Sequence, residues 1–359
     1  MTRLSRCFAP STVFSFLLFL IFAMVLAGPS PVRAMGSATL PALSDQGSPS
    51  GPITVWYPSD APETTRTRGP FVLSAAWDGA PIRGNGGLII LSHGSGGSAM
   101  LYHDMARVLV EAGFVVAAPE HQGDNWRDQT KTGPDSWKLR PAEVSSAIDR
   151  VQGERRFAPL VNRDKVGVYG MSAGGLTALE FAGATWSLNR LVKHCADHLE
   201  EDTGFCAFRE MVAGKLDQEM MGRLKAQFVE GAKSGMVDSR EYGHQDGRVK
   251  AVVAAVPVAA VIDPASLRAL RASTGLISAD KDQVLAPRWH VLAVEATCSS
   301  CTAIGTVKGG GHMSILSPLP DEIVRGLGVW AKDPAGFDRS SLTPIYKGIA
   351  GFFAGRLSQ

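Results

Sequence analysis

Three separated segments carry side chains that could together break an acyl bond. The first is Gly170-Met171-Ser172-Ala173-Gly174-Gly175, directly after the apolar run Val166 to Tyr169. A hydroxyl attacks a carbonyl only where it stands clear of its surroundings and a base takes its proton. Glycines on both sides of Ser172 let a strand and a helix approach closely enough to hold it on a tight turn. The helix that starts there points its positive end at the oxygen gaining charge. The second segment is Ser92-His93-Gly94-Ser95-Gly96-Gly97, after the apolar run Leu88 to Leu91. Acyl transfer needs two N–H donors aimed at the tetrahedral oxygen. The expected donors are the amides of Ala173, next to the nucleophile, and of Ser95, third in the H-G-S-G-G loop. A phosphate loop is excluded, because there is no G-x-x-x-x-G-K-[ST] pattern and no Lys in the turn.

The third segment supplies the base. His312 closes Gly309-Gly310-Gly311-His312, well after Ser172 in the chain. His93 is tied to the donor loop, and His103 and His121 precede the nucleophile. The order nucleophile, acid, base is the one expected of a Ser-His-Asp site on a parallel sheet. A carboxylate must fix the imidazole's tautomer. Strand 275–279 runs into Ser278-Ala279-Asp280-Lys281-Asp282-Gln283-Val284. Asp282 is preferred, as the start of a D-x-V pattern just past the strand. Asp280 is the near alternative and Asp263 a weaker one.

These segments need a scaffold that brings strand ends together. Continuous apolar runs at 88–91, 114–118, 165–169, 249–256, 275–279 and 303–307 read as buried strands, with others at 53–57 and 71–75. Apolar residues at helical spacing predict helices over 99–112, 141–152 and 172–184, with two more near 284–296 and 345–356. Residues 60–70 read as a loop. From residue 88 onward strand and helix alternate, which predicts an α/β fold with a mostly parallel, doubly wound sheet. Residues 187–248 break the rhythm and read as a helical insertion after the nucleophile helix, placed over the carboxyl ends of the strands. Its methionines Met211, Met220, Met221 and Met236 suit a lid lining or ordinary gap filling.

The chain has 359 residues, 45% of them apolar and 19% charged, with net charge +2. That excludes wholesale disorder, and the near-balance of charge argues against a nucleic-acid partner. Arg3 and Arg6 precede an uncharged apolar stretch, Val13 to Leu26, too short for the ~20 residues of a membrane span. It reads as a secretory signal over residues 1–34, cleaved after Ala34 in Val32-Arg33-Ala34, with Ala27 as second choice. Loss of Arg3, Arg6 and Arg33 takes the net charge from +2 to −1. Residues 35–52, rich in Pro, Ser and Gly, read as a mobile leader before a domain over 53–359.

Export makes disulfides the default for Cys195, Cys206, Cys298 and Cys301. Three pairings are possible, and local loop closure favours Cys195–Cys206 with Cys298–Cys301. His194, Cys195 and His198 have the spacing of a helical metal face, but H-C-A-D-H lacks the Glu of a metalloprotease helix. A solvated face beside a disulfide is the preferred account.

The runs V-W-Y-P at 55–58, S-H-G-S-G-G at 92–97, V-V-A-A-P-E-H-Q-G-D-N at 115–125, V-G-V-Y-G-M-S-A-G-G at 166–175 and G-G-G-H at 309–312 resemble the α/β-hydrolase superfamily. More narrowly, the chain is similar to the dienelactone hydrolases that border on the platelet-activating-factor acetylhydrolases. The resemblance covers about 53–316. It departs from true dienelactone hydrolases in carrying Ser172 where they use Cys. It departs from the acetylhydrolases in placing Pro257 where they take their acid, which favours Asp282. The resemblance implies an exported serine esterase, periplasmic or extracellular, that acts on a small-molecule ester through an acyl-enzyme. No metal or organic cofactor is expected, nor a stable membrane span after processing. An amide or peptide hydrolase with the same triad and a non-catalytic binding protein on the same scaffold are the rival readings.

Overall fold

The structure, a computed structural model, describes residues 1–2, 34–43 and 51–358. The secretory-signal reading therefore falls almost entirely outside the described residues, as do residues 44–50 of the expected leader. Ten strands form one sheet among the described residues: β1 (Ala34–Leu40), β2 (Ile53–Ser59), β3 (Thr64–Arg68), β4 (Phe71–Trp77), β5 (Leu88–Ser92), β6 (Val115–Pro119), β7 (Val166–Met171), β8 (Val249–Ala255), β9 (Ser273–Ala279) and β10 (Thr302–Val307). Their order is β10-β9-β8-β7-β5-β6-β2-β1-β4-β3. β6, β5, β7, β8, β9 and β10 pair in parallel, while β2 runs antiparallel to β6 and β1.

Between the strands lie α1 (His103–Glu111), α2 (Pro134–Gly153), α3 (Ala173–Ala182), α4 (Leu188–His198), α5 (Thr203–Cys206), α6 (Phe208–Val212), α7 (Gln218–Ser234), α8 (Pro264–Leu267), α9 (Val291–Thr297), α10 (Asp321–Leu327) and α11 (Leu342–Leu357). β5 shows why the central strands read as continuous apolar runs. Side chains alternate between faces along a strand, so Leu88 and Ile90 enter one core with Val144 and Ile148 of α2 and Leu176 and Leu179 of α3. Ile89 and Leu91 enter the other, with Met105 and Leu109 of α1 and Ile349 and Phe353 of α11. Both faces are covered, as a parallel sheet requires.

The structure corrects the expected elements in four places. Residues 35–40 of the expected leader belong, with Ala34, to β1, a strand wedged between β2 and β4 with Met35, Ala38 and Leu40 buried. The expected loop at 60–70 contains β3, whose Thr-Thr-Arg-Thr-Arg run pairs with β4; Arg66 and Arg68 lie over the Trp77 ring. α2 starts at Pro134, and Pro141 lies inside it instead of opening it. Burial of Trp137, Arg140, Val144 and Ile148 along its length holds this helix despite the missing N–H. The helix expected over 284–296 is confined to α9, because residues 282–290 form the loop that carries Asp282.

Helices α4 to α7 lie between α3 and β8, and a bridge between Trp186 and Tyr242 closes their neck. Cys195 in α4 bonds Cys206 in α5, and Cys298 bonds Cys301, the two pairings local closure favours. No helix of the described residues is long and apolar enough to cross a membrane.

Candidate active site

Ser172 sits between β7 and α3 with φ 59° and ψ −118°, a region L-residues rarely adopt. Its surroundings impose that conformation. A Cβ on Gly170 would lie 1.8 Å from the Gly174 carbonyl oxygen, and one on Gly174 would lie 2.0 Å from that of Ser92. Only glycine permits these approaches, so β7, α3 and the end of β5 close on the turn and push the hydroxyl outward. The Ser172 amide donates to Ala255 (3.0 Å), and the Ser172 carbonyl accepts from Val258 (3.0 Å), which ties the turn to the end of β8.

His312 follows β10, and its Nδ1 lies 2.7 Å from Oδ2 of Asp282. Oδ1 of Asp282 accepts from the amides of Val284 (2.9 Å) and Leu285 (2.8 Å). The carboxylate is therefore fixed by its own loop before it meets the imidazole. With Nδ1 engaged as a donor, Nε2 is left as the acceptor. Ser172 and His312 line the same cleft. Asp280 is exposed and accepts from the Gly309 amide (2.7 Å). Asp263 caps α8 and pairs with Arg190. Neither alternative acid is bonded to His312.

Ser95 and Ala173 also line the cleft. The amides around Ser95 are committed: Gly94 to the Tyr102 hydroxyl (3.1 Å), Gly96 to Oδ1 of Asp124 (2.8 Å) and Gly97 to the Gly94 carbonyl (3.0 Å). The Ser95 and Ala173 amides have no partner among the described residues. The structure thus brings together five residues picked out from the sequence.

The cleft measures about 1510 Å³, larger than the several hundred Å³ of most ligand pockets. The insertion supplies one apolar side of its lining through Leu191, Phe205, Phe208, Leu224 and Phe228, and α2 adds Trp137. None of Met211, Met220, Met221 and Met236 lines it. Of the metal-spaced residues, Cys195 is in a disulfide and His194 donates to Asp202 (2.8 Å).

Comparison with known proteins bears on the fold that carries this cleft. Residues 73–132 match the family model described as platelet-activating factor acetylhydrolase, isoform II. No curated protein matches. The solved ferulic acid esterase from Streptomyces cinnamoneus is similar at a TM-score of 0.56 and 17% identity, over 93% of each chain. The chain has the α/β-hydrolase fold.

Several side chains that shape the site of this α/β-hydrolase fold carry no local signal in the sequence. Asp124 lies within the 115–125 run but has no role legible there, and Arg140 stands just ahead of the helix expected over 141–152, with no role legible either. Both are buried, and Arg140 Nη2 donates to Asp124 Oδ2 (2.8 Å). Burial opposes ionisation of Asp124, but the Arg140 charge and the donors around it outweigh burial and hold the carboxyl down at about 2.

A second Ser-His-carboxylate chain lies behind the donor loop. Nε2 of His121 is 2.8 Å from Ser92 Oγ, and its Nδ1 is 2.6 Å from Oε2 of Glu143. All three are buried and none lines the cleft. Burial lowers the His121 pKa and pushes Glu143 up to about 7, so the pair is held near neutrality. It joins β5, the end of β6 and α2, and has no access to a substrate.

Proposed function

We infer that this chain is an exported serine hydrolase that cleaves carboxylic esters. The observation that carries the reading is the convergence on one cleft of a serine on a strained, glycine-walled turn and a histidine paired with a buried, amide-held aspartate. Ser172 Oγ attacks the acyl carbon as His312 Nε2 takes its proton. Asp282 holds the Nδ1 proton and stabilises the imidazolium. The carbonyl oxygen, now negative, is met by the Ser95 and Ala173 amides. His312 then gives its proton to the leaving alkoxide, which departs as the alcohol. In the second half, water attacks the acyl-enzyme with His312 again as base, and the acid is released. No step calls for a metal or cofactor.

The volume of the cleft and its aromatic lining favour an ester with a bulky apolar part, and the insertion is where specificity lies. The match over 73–132 and the structural likeness to an esterase support ester cleavage, and two disulfides suit an oxidising compartment. The test is a series of esters of increasing acyl length on wild type and Ser172→Ala. The reading expects turnover by wild type with a preference above acetate. Loss in Ser172→Ala should be at least about 10⁴-fold. Equal rates for the two proteins would contradict it.

A further inference from the structure

We propose that the buried Asp124–Arg140 ion pair sets the oxyanion donor, holding residues 93–97 so that the Ser95 amide faces the reacting carbonyl. This rests on the Ser172 esterase reading and extends it to two positioning residues. Both side chains are fully buried. Apart from each other and Ser136, the side-chain partners of the pair lie in residues 92–96. Asp124 Oδ1 accepts from the Gly96 amide (2.8 Å) and Oδ2 from the Ser95 hydroxyl (3.2 Å). Arg140 Nη1 donates to the His93 carbonyl, and Nε donates to Ser136 Oγ (2.8 Å).

The two ends of the loop are therefore gripped from below. Arg140 fixes the peptide plane between His93 and Gly94 by its oxygen. Asp124 fixes the plane between Ser95 and Gly96 by its nitrogen. The plane between them carries the Ser95 amide; its oxygen, on Gly94, meets His93 Nδ1 (2.8 Å) and the Gly97 amide (3.0 Å), both inside the loop that the pair grips. Gly96 has φ +65°, which reverses the chain directly after Ser95. Tyr102 and the Gly94 carbonyl take the Gly94 and Gly97 amides, so the loop has one unspent donor among residues 94–97. A buried ion pair contributes little net stability over an apolar pair of the same size. What it supplies here is direction, since carboxylate and guanidinium fix backbone groups that an apolar pair would leave free.

A merely structural pair and an oxyanion-setting pair differ in which substrates they affect. Oxyanion donors favour a carbonyl oxygen, which gathers negative charge and accepts strong hydrogen bonds, over a thiocarbonyl sulfur, which accepts them weakly. The experiment measures kcat and KM for an aryl ester and its thiono analogue on wild type, Ser172→Ala, Asp124→Asn and Ser95→Ala. For Asp124→Asn the proposal expects kcat on the oxo-ester to fall about 10²-fold with KM within about twofold. The thiono-ester should lose far less, so the oxo-to-thiono ratio collapses. Ser95→Ala keeps its amide and buries no charge, but loses one tether; its oxo-ester kcat should fall about fivefold, with a lower ratio.

A folded Asp124→Asn with wild-type kcat, or with equal losses on both esters, overturns the proposal. If Asp124→Asn does not fold, Ser95→Ala decides, and an unchanged ratio overturns it. Failure of the underlying reading looks different: wild type would not turn over the oxo-ester, or Ser172→Ala would match it.

Discussion

At the scale of single residues, the proposed mechanism turns on which carboxylate serves His312. Asp282 and Asp280 are two positions apart, yet only Asp282 is buried and bonded to the imidazole. On the proposed mechanism, Asp282→Asn lowers kcat by about 10⁴ with a small change in KM, because an amide in that place favours the wrong tautomer. Asp280→Asn should stay within about twofold of wild type, since its exposed side chain accepts from the Gly309 amide and not from the imidazole. Steady-state kinetics on the two variants separates them. Ser172, His312, Asp282, Ser95 and Ala173 stand out in the sequence as candidates because each follows a strand and stands in or next to a glycine-rich or Asp-rich turn. Asp124 and Arg140 do not, because their meaning comes from partners far along the chain. A charged residue in a helix gives no sign of being buried until the loop it grips is in place.

At the scale of elements, the insertion and the loop carrying Asp282 are one packed unit. Asp202, ahead of α5, accepts from the Ala286 amide (3.1 Å) and from Nε2 of His290 (2.9 Å) and His194 (2.8 Å). Burial would raise its pKa, but these donors prevail and hold it at about 2. A Cβ on Gly204 would lie 2.3 Å from the Gln283 carbonyl oxygen and 2.6 Å from that of Val284. Gly204→Ala should therefore displace the acid loop and lower kcat on the order of tenfold while the Cys195–Cys206 bond still forms, as thiol titration would show. The bond closes a loop with a sequence separation of 11. Replacing both cysteines by Ala should cost about 2–3 kcal/mol and lower Tm by several degrees in scanning calorimetry.

The insertion was visible in the sequence as a break in the strand–helix alternation. The lining residues were not. Methionine frequency points to Met211, Met220, Met221 and Met236, whereas aromatic and leucine side chains of α4, α6 and α7 and the turn of α5 line the cleft. β1 was hidden for a related reason: Pro, Ser and Gly around it masked a short strand whose stability comes from its neighbours β2 and β4.

At the scale of the whole molecule, two buried carboxyls tie stability to pH. Burial pushes Glu180 up to about 8, against a hydrogen bond from Trp186 Nε1 (2.8 Å) to its Oε1, and Glu143 is raised to about 7. Each group keeps its proton in the folded state and loses it near 4.5 in the unfolded chain. Stability therefore falls as pH rises from about 4.5 towards 8, by at most about 1.4 kcal/mol per pH unit for each proton, and levels off above. Glu180→Gln keeps the acceptor for Trp186 and cannot ionise. It should flatten this slope in denaturant titrations between pH 5 and 8, and an unchanged slope would place the proton elsewhere. The overall architecture was readable because alternating parallel strands and helices leave few topologies once strand ends must meet.

In the proposed mechanism the Ser172 hydroxyl is an activated nucleophile driven by His312. A fluorophosphonate reacted with folded protein, followed by peptide mass spectrometry, tests it in one measurement. The mechanism requires a single adduct on the peptide containing Ser172, formed at least about 10³-fold more slowly in His312→Ala. An adduct on another residue, or labelling of Ser172 at the same rate without His312, would contradict it.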